Sequence, residues 1–177
     1  MVKKTKPELE GELIALRDFF AYNTFVRRRY LGLIVKLPKA TLAKDRGASF
    51  PTILDIQTHI LDVLRSWLNA YETGEDTPEL KGLSVSEVKK LESEVDGYIE
   101  GFMQKLSAGD LEKPFRFKTV TGKKVRIKSV GDMLWHMIEE ELQHRGELNA
   151  LLWQDDVEPP ITGWFEWKKE SRKSRGI

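Results

Sequence analysis

The sequence predicts an all-α protein, an up-and-down four-helix bundle with a small β-hairpin between its third and fourth helices. Three observations carry this. Four long segments repeat apolar residues at spacings of three and four. Each of them opens near residues that cap helices. One short stretch, FRFKTVTGKKVRIK, switches instead to alternation about a Thr-Gly turn. In a chain of 177 residues, four such amphipathic helices bury their stripes only against one another.

The first helix is predicted from about Pro7 to Leu37. Thr5 and Glu8 have capping-box spacing, Pro7 sits in the tolerated first turn, and Pro38 ends the segment. A polar loop, KATLAKDRGA, follows. Ser49 is the expected N-cap of the second helix, with Pro51 just inside it and a stripe of Ile53, Ile56, Ile60, Val63, Trp67 and Tyr71. TGEDTPELKG reads as a turn-rich connection. Ser84 and Glu87 open the third helix, which carries Val88, Leu91, Val95, Tyr98, Phe102 and Leu106 toward a stop at Gly109. Phe115 and Phe117, then Val125 and Ile127, alternate with polar residues around Thr121-Gly122 and make the hairpin. Ser129 and Asp132 start the fourth helix, which runs to about Trp153. Pro159-Pro160 closes the folded part. The expected organisation is one bundle domain over 1–160 and an extension over 161–177 ending in a loosely ordered basic tail, KKESRKSRGI.

Composition narrows the function classes. A net charge of +1 gives no global field for nucleic acid or membrane. No apolar run reaches membrane-spanning length. Zero cysteines exclude a disulfide framework, a thiolate metal site and a cysteine nucleophile. With an N-terminus, MVKKTKPELEGE, that lacks the apolar core of a signal peptide, this points to the cytoplasm. The basic residues Lys168, Lys169, Arg172, Lys173 and Arg175, and the run Arg27 to Arg29, read as solvated charge rather than a nucleic-acid surface.

The chemistry concentrates in three histidines, His59, His136 and His144, all in helical segments. A lone helical histidine is ordinarily structural, so phase decides between them. At about 100° per residue, His144 lies ~30° and Glu140 ~70° from the centre of the last helix's apolar arc, whereas His136 lies ~110° away, at its margin. Glu140 and His144 are one turn apart and within reach of one ion. His136 and His144 are about 12 Å apart along the axis. His59 stands at the edge of the second helix's stripe, beside Ile56 and Val63. Two imidazoles and a carboxylate suit Zn²⁺, Fe²⁺, Ni²⁺ or Mn²⁺ and leave a position open for water or substrate. Glu141 with His144 has the Glu-x-x-His spacing of di-iron bundles, but Ile56 stands three residues before His59, so a second copy is missing. Glu141 projects into the apolar arc and needs a partner, with Arg27, Arg28, Arg29, Arg65 and Arg145 as candidates.

SFPTILDIQTHILDVLRSWL resembles the second helix of the DinB-like family of four-helix bundles. HMIEEELQHRGELNALLWQDDVEPP is similar to that family's last helix and its exit, with the HRG-x-L-x-x-L-L signature, and FFAYNTFVRRRYLGLI is similar to its opening helix. The resemblance spans about Phe19 to Pro160. It implies a divalent metal held by three histidines, one from the second helix and two four residues apart on the last. By position these are His59, Glu140 and His144, so this chain has glutamate where the family has its middle histidine. Either the site persists with two histidines and one carboxylate, or the metal is lost and a polar pocket remains. His136 matches a further position where the family often has histidine, which implies a supporting or structural role. Apart from the resemblance, Glu141 and Trp67 are also expected beside the pocket.

The implied function is a metal-dependent transferase or hydrolase acting on a small molecule, with a low-molecular-weight thiol as co-substrate and Glu140 as ligand or base. The alternative is a non-catalytic, dimeric helical protein. It draws on five tryptophans, of which Trp164 and Trp167, after the last bundle helix, are expected to cap the pocket or meet a second copy of the chain.

Overall fold

The computed structural model describes residues 4–174. Helix α1 spans Lys6–Ile34, capped by Thr5, whose amide and hydroxyl both donate to Glu8 Oε2, at 2.6 and 2.8 Å. It stops at Ile34 and not at Leu37. The amides of Lys36 and Leu37 turn to the carbonyls of Leu33 and Ile34, three residues back. Leu37 precedes Pro38, whose ring disfavours helical geometry in the residue before it. The predicted polar loop contains a short helix, α2, over Lys39–Ala43, which buries Leu42.

Helix α3 runs over Ile53–Thr73. Its N-cap is Thr52, whose Oγ1 accepts the Asp55 amide at 3.1 Å, so the predicted start at Ser49 is three residues early. Ser49 is held elsewhere, by Glu147. The helix ends at Gly74, whose φ of 75° is the left-handed conformation that caps helices at little cost in glycine. Helix α4 covers Val85–Lys105 behind the Ser84–Glu87 capping box. It ends ahead of Gly109, which lies in a 3₁₀ turn over Ala108–Asp110.

Strands β1 (Phe115–Lys118) and β2 (Lys124–Ile127) form an antiparallel hairpin with Phe115 opposite Ile127. Its turn closes on Gly122 at φ 85°. The hairpin lies on α3 through its alternate side chains: Phe115 meets the Tyr71 ring at 5.3 Å and Phe117 the Trp67 ring at 5.6 Å between centroids. A bridge between Glu75 and Lys118 ties the hairpin to the segment leaving α3. Helix α5 spans Val130–Trp153, capped by Ser129, whose Oγ accepts the Asp132 amide at 3.0 Å.

The basic tail expected to be loosely ordered is helical over its described residues, 168–174. Trp164–Ser174 forms a sixth helix, α6, on the outside of α1. Trp167 is buried and, with Trp164, packs against Tyr22, while Trp164 also meets Phe19. Lys168 pairs with Asp18 at 2.7 Å, and Arg29 pairs with Glu170. Aromatic anchors and ion pairs offset the entropy of ordering the segment, which its polar composition conceals. Of the predicted basic tail, Arg175 lies outside the described residues.

Aliphatic side chains from α1, α3, α4 and α5 make one continuous core. Within it lies a buried polar knot. Arg27 is 3 % exposed and donates from Nη1 to both oxygens of Glu141, at 2.8 and 2.7 Å, and from Nη2 to Asp96 at 2.8 Å. Of the five candidate arginines, Arg27 is therefore the partner of Glu141. Burial alone would lower the pKa of the guanidinium, but the two carboxylates outweigh it and raise the pKa. Glu92, 3 % exposed on α4, has no hydrogen-bond partner for either carboxylate oxygen. Burial, reinforced by the Asp96 charge, pushes it up to about 7.

Candidate metal centre

His59 projects from the middle of α3, and Glu140 and His144 from successive turns of α5. The α3–α5 packing brings all three together. Each offers one ligand atom, and these lie within 4.8 Å of one another. Glu140 Oε2 is 3.4 Å from His144 Nε2 and 3.9 Å from His59 Nε2. Ligands about 2.0–2.1 Å from a tetrahedral ion stand about 3.3 Å apart. The Glu140–His144 spacing matches this value, and His59 would draw in toward Glu140 to share a first-row divalent cation.

The surroundings also suit ligation. Burial, aided by the His144 charge and opposed by Glu140, lowers the His59 pKa and favours the neutral imidazole that a metal needs. Phe50 stacks on the His59 ring at 4.2 Å and sets its edge against His144 at 5.4 Å. The aromatic wall limits the orientations open to both imidazoles.

Glu147 is a side chain of the candidate site that the sequence reading missed. Its Oε2 lies 3.2 Å from His144 Nδ1. A carboxylate there fixes the proton on Nδ1 and directs the Nε2 lone pair toward Glu140 and His59. Glu147 is itself held by the Ser49 amide at 2.9 Å and the Ser49 hydroxyl at 2.6 Å. Its burial would raise its pKa, but the hydrogen bonds from Ser49 and His144 outweigh that and lower it. The available signal was the i,i+3 spacing of His144 and Glu147. The Ser49 contact, across 98 residues, had none.

The supporting residues divide. His136 stays outside the triad, with Nε2 at 3.7 Å from the other oxygen of Glu140 and Nδ1 at 3.5 Å from Glu139. Its ring meets Trp67 edge to face at 5.4 Å. Trp67 also lines a cavity of about 350 Å³ that opens beside His59 under the hairpin. Glu141 is taken up by Arg27 and is not one of the three clustered ligands. Two larger grooves, of about 610 and 540 Å³, follow the α1–α4 seam; none of the triad lines them.

Four of the basic residues considered for nucleic acid are paired within the fold: Arg27 with Glu141 and Asp96, Arg28 with Asp96, Arg29 with Glu170 and Lys168 with Asp18. No helix among the described residues is long and apolar enough to cross a membrane.

Comparison with known proteins agrees with this architecture. The DinB family model matches residues 1–173. A crystal structure of a DinB-like protein from Bacillus cereus ATCC 10987 superposes with a TM-score of 0.61 at 19 % identity, covering 85 % of this chain and 95 % of that one. No curated protein matches significantly.

Proposed function

This chain belongs to the DinB family, and from that premise we propose that it is a divalent-metal-dependent enzyme, a transferase or hydrolase acting on a small molecule, with a low-molecular-weight thiol as the co-substrate. The metal is held by His59, Glu140 and His144. The observation that carries this reading is the spacing of their donor atoms, 3.4 and 3.9 Å about Glu140 Oε2. A bound divalent ion would supply Lewis acidity, polarising a carbonyl or lowering the pKa of a coordinated water or thiol. The chain's own groups position that chemistry. Glu147 holds the tautomer of His144, Phe50 orients both imidazoles, and the hairpin covers the cavity beside His59. A carboxylate in place of a third imidazole makes the donor set harder and shifts preference toward Mn²⁺ or Fe²⁺ relative to an all-histidine site.

The test is metal content of protein purified without a polyhistidine tag, followed by titration with Zn²⁺, Ni²⁺, Fe²⁺ and Mn²⁺. One equivalent is expected. His144→Ala is expected to abolish binding and His136→Ala to leave it in place. Absence of stoichiometric metal under all four ions, or equal loss in both variants, refutes the reading.

A second reading, a dimeric helical protein without catalysis, is favoured by one observation. Trp135, Leu142 and Trp153 are exposed and fall within ~20° of one another around α5. Such a row on a soluble bundle suits a second copy of the chain. Light scattering at micromolar concentration decides it, since a strict monomer removes this reading.

A further inference from the structure

The geometry points to a binding site for a protonated amine in the cavity beside His59, so that the substrate carries a cationic group at the end remote from the metal; the assignment of this cavity to a substrate rests on the metal-site reading above. The cavity holds about 350 Å³, enough for a small organic ligand. Its lining includes Asp62, Asp76 and Glu79 and the rings of Trp67 and Phe117, and no lysine or arginine among the described residues.

The three carboxylates are not equivalent. Asp62 is committed to Arg65 at 2.6 Å and to the Leu80 amide at 2.9 Å, and Glu79 pairs with Lys81 at 2.8 Å. Asp76 has no ion-pair partner among the described residues. Its Oδ1 accepts the Ser66 hydroxyl at 2.5 Å and the Thr77 amide at 2.8 Å. These contacts fix the side chain without neutralising it, and the backbone bond from its own amide to Lys118 at 2.9 Å anchors it to the hairpin. An oriented carboxylate without an ion-pair partner and two aromatic rings together suit an ammonium group: the carboxylate supplies charge and the rings attract the cation. Arg65 and Lys81 beside this wall are already paired with Asp62 and Glu79, so a carboxylate-bearing ligand would find no unpaired lysine or arginine among the described lining residues. The site therefore selects molecules with a metal-seeking group at one end and a protonated amine at the other.

The experiment uses the full chain, metal-free and zinc-loaded, with two probes of similar size, benzyltrimethylammonium and benzoate. Benzyltrimethylammonium cannot ligate a metal, so its binding reads the cavity alone. Isothermal titration of the metal-free protein is expected to show at least tenfold preference for the cation. Asp76→Asn keeps the acceptor for Ser66 and is expected to weaken cation binding by about three- to thirtyfold, as is Phe117→Leu, which removes a ring from the hairpin wall. Equal or tighter benzoate binding to the metal-free protein overturns the inference. So does a cation affinity that neither substitution changes. Zinc titration of the same preparations separates the two readings. Protein that selects the cation and takes no zinc overturns the metal site alone, and protein that takes zinc without selecting the cation overturns this inference alone.

Discussion

Glu92 makes the stability of this bundle pH-dependent in an unusual direction. It is buried, its carboxylate oxygens have no hydrogen-bond partner, and burial together with the Asp96 charge pushes it from an ordinary value of 4.5 up to about 7. The folded state therefore binds the Glu92 proton more tightly than the unfolded chain does. Stability from this group is fully present below about pH 4.5 and is lost as pH rises through about 7. The difference in pKa of about 2.5 corresponds to at most about 3.4 kcal/mol at roughly 1.36 kcal/mol per unit, and about 2–3 kcal/mol after allowance for solvent relaxation around the site. Glu92→Gln removes the titration and keeps the shape. Urea unfolding of both proteins at pH 5.0 and pH 8.5 gives the double difference, in which carboxylates common to both cancel. Relative to wild type, the variant is expected to gain about 2–3 kcal/mol on going from pH 5.0 to 8.5. Parallel pH–stability curves would refute the reasoning, because they would mean that Glu92 is ionised and solvated in the folded protein.

Three further outcomes follow from the same geometry. Arg27→Met leaves Glu141 and Asp96 buried without their shared cation and is expected to cost about 3–5 kcal/mol by chemical denaturation, whereas changing Arg27, Glu141 and Asp96 together to apolar residues of similar volume is expected to cost much less. Glu147→Gln leaves the three ligands in place and is expected to weaken metal affinity about 10- to 100-fold in competition with a chelator, with circular dichroism unchanged. Glu140→His, which restores an all-imidazole donor set, is expected to raise affinity for Zn²⁺ relative to Mn²⁺; a lower Zn²⁺-to-Mn²⁺ ratio than wild type would contradict Glu140 as a ligand.

Much of this protein was open to reading from its sequence because the information is local. Capping boxes at Thr5–Glu8 and Ser84–Glu87, and the Ser129 cap, are written in residues three apart, and the structure has all three. The β-hairpin followed from alternation about Gly122, where a left-handed residue is needed. Helical phase turned Glu140 and His144 inward on α5 and left His136 at the margin, since both facts depend only on 100° per residue. Ser49 shows how local reasoning misleads: it has cap chemistry, but Thr52 caps α3 while Ser49 closes on Glu147.

What tertiary structure decided are pairings between distant segments. Five arginines were open partners for Glu141, and only the approach of α1 to α5 selects Arg27. The helical fate of Trp164–Ser174 depends on a hydrophobic seat at Phe19 and Tyr22, which a polar-looking tail does not announce. His59 faces Glu140 at 3.9 Å because α3 packs on α5 in one register. Periodicity determines which side of a helix is apolar; side-chain interdigitation between helices determines which residues on those sides meet. The three residues of the candidate centre were thus singled out from the sequence, but their convergence, and the Glu147 carboxylate beside His144, came only from the packing of the bundle.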